Sequence, residues 1–166
     1  PPVLLIDEID RADEEFEAFL LEMLSDFQIS IPEIGTLKAK TVPLVVVTSN
    51  RTREIHDALK RRCLYLWIPY PTFDREYNIV MAKVPGIGEK LAAQVCSFME
   101  TVREMDFTKK PGVAETLDWA SALVALSKDG LEKETVNATL GCIFKYNEDV
   151  VKVKYEDLDA IMENVC

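Results

Sequence analysis

The sequence predicts an α/β protein: a partial parallel-sheet core over residues 1–70, followed by an α-helical domain over residues 71–166. Three observations predict it. Val3-Leu4-Leu5-Ile6 and Leu44-Val45-Val46-Val47 are unbroken apolar runs of strand length, as expected of strands buried on both faces of a parallel sheet. Each run ends in polar residues, Asp7-Glu8 and Thr48-Ser49-Asn50, at the carboxyl end where open α/β sheets place their ligands. After Pro69-Tyr70-Pro71 the strand signals stop, and apolar residues recur at helical spacing.

Taken in order, Asp10 or Asp13 can cap a helix running to about Asp26, with Phe16, Leu20, Met23 and Phe27 on one stripe and acids on the other face. Alternation in residues 28–31, a Pro/Gly break and renewed alternation in 36–40 predict a β-hairpin over 28–41. Pro43–Asn50 is the second strand. A short helix over about 54–61 leads into a third strand, Cys63–Ile68. Beyond Tyr70, four stripes predict helices. They are Leu91, Val95, Phe98, Val102 and Met105; Val113, Leu117, Ala120 and Leu123; Val136, Leu140, Ile143 and Phe144; and Leu158, Ile161, Met162 and Val165. Breaks fall at Pro85-Gly86, Pro111-Gly112 and Asp129-Gly130.

With 166 residues, 48% of them hydrophobic, the chain can bury one good-sized core or two small ones. Its longest apolar runs are too short to span a bilayer, and no secretory h-region opens it. It opens without Met, directly on an apolar strand, as expected of a fragment or processed product. Cys63, Cys96, Cys142 and Cys166 form no C-x-x-C pair, and there is one histidine, His56. This argues against zinc and against a disulfide framework, and for reduced thiols in the cytoplasm. The net charge of −10 opposes non-specific binding to nucleic acid or anionic membrane. Residues 1–30 carry nine acids against Arg11 alone, whereas Arg51, Arg53, Lys60, Arg61 and Arg62 cluster in 51–62. Two such faces suit head-to-tail association.

Asp7 can hold Mg²⁺ through oxygen, and Glu8 can orient or deprotonate a water attacking a γ-phosphate. Asn50 ends the second strand, and Arg61-Arg62 immediately precedes the third. This order resembles the second half of an AAA+ ATPase core: Walker B, sensor 1, arginine finger, then a helical lid. The hairpin at 28–41 looks like the pre-sensor-1 hairpin of one AAA+ branch. Residues 2–50 with Ala58-Leu59-Lys60-Arg61-Arg62-Cys63 resemble the MoxR family. Lys110-Pro-Gly-Val-Ala-Glu-Thr-Leu-Asp-Trp119 looks like the lid of its carbon-monoxide-dehydrogenase-accessory subgroup.

The resemblance implies that Asp7 is the Mg²⁺-linked carboxylate, Glu8 the residue that activates water and Asn50 sensor 1. Arg62, with Arg61 as alternate, would be a finger serving the adjacent subunit. The family pattern has an aromatic where Cys63 stands. Lys109 and Lys110 would supply the sensor-2 cation, at a place where arginine is usual. The resemblance further implies ATP and Mg²⁺ as cofactors, a ring, typically hexameric, a client protein to remodel, and a partner of the von Willebrand A type.

No G-x-x-x-x-G-K-[ST] occurs, and none of the six glycines is followed by Lys. The chain therefore lacks the phosphate cradle of a P-loop, and alone it is expected neither to bind ATP tightly nor to hydrolyse it. Two other classes stay open. Lys83-Val-Pro-Gly-Ile-Gly-Glu-Lys-Leu-Ala92 matches a helix-hairpin-helix, whose glycine turn can present N–H groups to a DNA phosphate. The bland reading is an interhelical turn that needs Gly. A non-catalytic protein-interaction module is the other alternative. A two-carboxylate nuclease site at Asp7 and Glu8 would need further acids at strand ends, where Asn50 stands instead.

Overall fold

A computed structural model describes residues 1–165. The chain is mixed α/β, with a small parallel sheet, a hairpin and a helical part, and it divides into two compact units, Pro1–Trp67 and the residues from Ile68 onward.

In the first unit, β1 (Val3–Ile6) pairs in parallel with β4 (Leu44–Val47), Val3 opposite Leu44 and Ile6 opposite Val47. A 3₁₀ turn at Ile9–Arg11 leads to α1 (Glu14–Asp26). Asp13 caps α1, accepting from the Phe16 amide at 2.8 Å, so of the two candidate caps Asp13 closes the helix. The predicted hairpin forms from β2 (Gln28–Ile31) and β3 (Gly35–Lys38), antiparallel, three residues shorter than expected at its end. Glu22 on α1 holds it, accepting from the Ser30 hydroxyl at 2.6 Å and from Gln28 Nε2 at 3.2 Å. The hydroxyl bond lowers the Glu22 carboxyl pKa. The helix expected over 54–61 is reduced to α2 (Asp57–Lys60).

Three expectations need correction. Cys63–Ile68 is not a strand: it runs without a ladder partner among the described residues, with Leu64 and Leu66 almost wholly exposed. Its composition suits a strand, but a strand exists only by pairing its N–H and C=O groups. Nor are β1 and β4 buried on both faces; Val3, Leu5 and Leu44 are each at least 60% exposed, because a two-stranded sheet lacks the layers that cover a parallel sheet. On α1 the core face is turned from the predicted stripe. Phe16 and Phe19 are exposed and stack on each other, while Glu17 is buried with Leu20. Glu17 can enter because Arg53 pairs with it and the His56 amide donates to it at 3.0 Å. The fully buried apolar residues of this unit are Ile9, Leu20 and Leu59, packed with Ile6, Leu21, Leu24, Val47 and Ile55. At about 1.5–3 kcal/mol each, three such residues make a thin core.

The second unit contains α3 (Phe73–Lys83), α4 (Glu89–Glu104), α5 (Val113–Ala125), α6 (Lys133–Ile143), α7 (Asn147–Lys152), a π-helical turn at Val153–Asp157, and α8 (Leu158–Glu163). The predicted stripes form its core, with Val95, Phe98, Val102, Ala120, Leu123, Val136 and Leu140 no more than 1% exposed. Trp119 packs on Phe98, ring centroids 4.9 Å apart, and satisfies its indole N–H on Thr139 Oγ1 at 2.8 Å. Amid this apolar packing lies a buried pair the sequence did not announce. Arg103 of α4 forks onto Glu76 of α3, donates to Thr116 and to the Pro111 carbonyl, and lies 4.8 Å from the Tyr70 ring centre. Burial pushes the nearby Cys96 thiol up to about 12, so that sulfur is an inert packing group. Cys63 and Cys142 are free as well; Cys166 lies outside the described residues. No described helix is long and apolar enough to cross a membrane.

Candidate functional site

Parallel pairing without a register slip puts the polar ends of β1 and β4 on one edge. The two tips are stitched by backbone bonds, Thr48 N–H to Ile6 O and Ile9 N–H to Thr48 O, both 2.9 Å. The side chains close the same gap. Asn50 Nδ2 donates to Glu8 Oε1 at 2.8 Å. The Thr48 hydroxyl donates to Asp7 and accepts from the Glu8 amide at 3.0 Å. Glu8 also pairs with Arg11, 3.3 Å away.

Two rim residues adopt left-handed backbone, Glu8 at φ 52° and Arg51 at φ 58°. A non-glycine residue pays about 1–2 kcal/mol for this, and such residues gather at functional sites. Arg51 is further tethered by its guanidinium, which lies 4.6 Å from the Trp67 ring centre.

Three rim residues escape the sequence reading: Thr48 and Thr52 carry no role there, and Asp10 figures only as a candidate helix cap. Asp10 is buried and accepts from Asn50 N at 3.1 Å, Thr52 N at 2.8 Å and Thr52 Oγ1 at 2.6 Å. The Thr52 hydroxyl, then its amide, holds the Asp10 carboxyl well below the usual carboxylate range. Asp10 is three residues beyond Asp7, and Thr48 two before Asn50. That proximity is the only sequence signal that could have marked them.

The guanidinium does not join the acid pair and the amide at a strand tip. Arg61 caps the end of α2 with Arg62 next to it, and among the described residues no third strand follows them. Arg62 Nε donates to Ser25 Oγ at 2.7 Å and its Nη1 to the Ala58 carbonyl at 2.8 Å. Arg61 is exposed and its side chain makes no hydrogen bond or ion pair among the described residues. In the second unit, Lys109 and Lys110 sit exposed on the loop before α5. Asp149 shapes this loop, accepting from the Thr108 and Lys109 amides at 2.9 and 3.3 Å. The motif at 83–92 folds as two helices around a turn, with Gly86 at φ 83° and Val84 and Ile87 buried.

Among the described residues, no group of three or more His, Cys, Asp or Glu side chains gathers as a cation cage. Mg²⁺ needs none: it keeps several waters and takes one or two carboxylates beside substrate phosphates. Asp7, exposed at the strand tip with a hydroxyl beside it, fits that sparse donor set. What the rim can offer is a carboxylate for a hard cation, a carboxylate for a water and a neutral amide.

No family model matches the chain, and no curated protein matches it.

Proposed function

We propose that the chain is the rear portion of a MoxR-type AAA+ ATPase, supplying the hydrolytic edge of a nucleotide site whose phosphate cradle lies on a P-loop this sequence does not contain. The observation that carries the reading is the 2.8 Å bond from the Asn50 amide to Glu8 across two adjacent parallel strand tips. It supports the reading because it joins a potential base and a donor at the edge where α/β sheets take their ligands.

In this reading Asp7 is the residue that would hold Mg²⁺. Mg²⁺ held there would supply charge neutralisation to the nucleotide's phosphates. Glu8 orients the attacking water and accepts its proton. The Asn50 side chain, which carries both a donor NH₂ and an acceptor oxygen, donates to the γ-phosphate or accepts from the water. The finger serves the neighbouring subunit. Because Arg62 is committed to Ser25 and Ala58 within its own chain, Arg61 becomes the first choice and Arg62 the alternate. Lys109 and Lys110 are the sensor-2 candidates. The acidic α1 and the basic 51–62 segment support heterologous ring contacts, with the helical unit as lid, and a client protein and a von Willebrand A-type partner as the proteins served. The cytoplasm is the compartment in which ATP would be available to it.

The reading is tested on Asn50→Ala in the intact protein with its P-loop. Removing one aligned donor is expected to lower turnover roughly 10²–10³-fold, measured as phosphate release, with ATP affinity retained. Unchanged turnover would refute the role of this edge.

A further inference from the structure

We propose that Asp10 is a positioning residue for the reaction at this edge, acting through Asn50. The inference rests on the hydrolytic reading of the rim and deepens it.

Asp10 is 3% exposed, and a carboxylate in that position must be compensated. No cation compensates it among the described residues. All three of its bonds go to one loop, to the backbone N–H of Asn50, the backbone N–H of Thr52 and the Thr52 hydroxyl, so Asp10 fixes the main chain from which the Asn50 side chain reaches Glu8. Bonds to an ionised acceptor are the strong, short ones, so the loop after β4 hangs from this side chain. The other end of the arrangement is Glu8. It enters the same 3₁₀ turn that carries Asp10, two residues on. That turn is itself pinned to β4 by the Ile9 amide on Thr48 O.

One turn therefore carries both the base candidate and the anchor of its partner amide. Past the last ladder pair, Ile6 and Val47, the Thr48 bonds hold the Glu8 side of the gap and Asp10 holds the Asn50 side, so the two together set the distance from Glu8 to Asn50. An acid here has a second consequence. Asn at this position could keep an acceptor for one amide, but its NH₂ would face the remaining donors and push the loop away. Loosening a reacting constellation by about 1 Å can cost about 10²-fold in rate.

The test is MgATP hydrolysis by the intact protein. Asp10→Asn is expected to lower kcat about 10- to 100-fold, with KM for MgATP changed less than about threefold. Thr52→Val should move kcat the same way by less, and Thr52→Ser should restore it. In the Asn50→Ala background, Asp10→Asn should cost no more than about twofold further, because a residue acting through an absent amide has nothing left to position. Wild-type kcat in Asp10→Asn, or losses that multiply in the double variant, would overturn the inference while leaving the edge catalytic. Wild-type turnover in Glu8→Gln and Asn50→Ala would instead remove the hydrolytic reading, and Asp10 with it. If Asp10→Asn does not fold, equal kcat in Thr52→Val and Thr52→Ser overturns the inference.

Discussion

Replacing Arg61 by Ala is expected to lower ATP turnover of the assembled protein by roughly 10³–10⁵, the range for a guanidinium that neutralises transition-state charge, while nucleotide affinity holds. Arg62→Ala should cost far less, since Arg62 spends its donors on Ser25 Oγ and the Ala58 carbonyl. Mixing gives the sharper readout. Subunits carrying Arg61→Ala and subunits carrying Glu8→Gln are each expected to be nearly inactive alone. Combined, they should regain part of the turnover, because some interfaces pair an intact Glu8 with a neighbour's intact Arg61. No recovery on mixing would mean that the finger does not act in trans, and a larger loss in Arg62→Ala would reverse the choice between the two arginines.

Arg103→Leu is expected to destabilise the helical unit by about 3–5 kcal/mol, the cost of leaving a buried charge without its partner. Glu76 is 1% exposed, and apart from Arg103 its carboxylate keeps, among the described residues, the Thr116 hydroxyl at 2.6 Å. The same substitution strips the Pro111 carbonyl of its donor at 2.8 Å. That carbonyl lies at the entrance to α5, so the loss reaches beyond the pair. The double variant Glu76→Leu/Arg103→Leu should recover most of the loss, since apolar replacement of a whole buried pair is often neutral or better. Urea unfolding followed at Trp119, buried against Phe98 in the same unit, measures both. A loss under about 1 kcal/mol in the single variant, or an equal loss in the double, would show that the pair is not what joins α3, α4 and α5.

The helical half was legible because its information is local. Leu91, Val95, Phe98 and Val102 repeat at the helical period, and all four are buried where α4 forms. The acid pair and Asn50 were legible for a related reason: the pair directly follows one apolar strand run, Asn50 closes the polar trio after the other, and parallel pairing in register then brings them together. What the sequence hid depends on partners remote in the chain. Glu17 reads as one more acid on a solvated helix face until Arg53 and the His56 amide meet it. Asp10 reads as a helix cap, and becomes an anchor only once the loop after β4 folds over it. Arg103 and Glu76 lie on different helices and carry no spacing signal. The segment 63–68 failed in the opposite direction. Its apolar and aromatic side chains state a preference for extended backbone, but composition cannot say which strand, if any, will pair with it.

Glu8 is the group proposed to handle the water at this edge. The most direct measurement is steady-state ATP hydrolysis by the intact, P-loop-bearing protein, wild type against Glu8→Gln, with MgATP binding measured in parallel. The amide keeps the size and an acceptor for Asn50 but cannot take a proton at neutral pH. Turnover roughly 10²–10⁴-fold lower with binding intact is the predicted result. Equal turnover in the two proteins would contradict it.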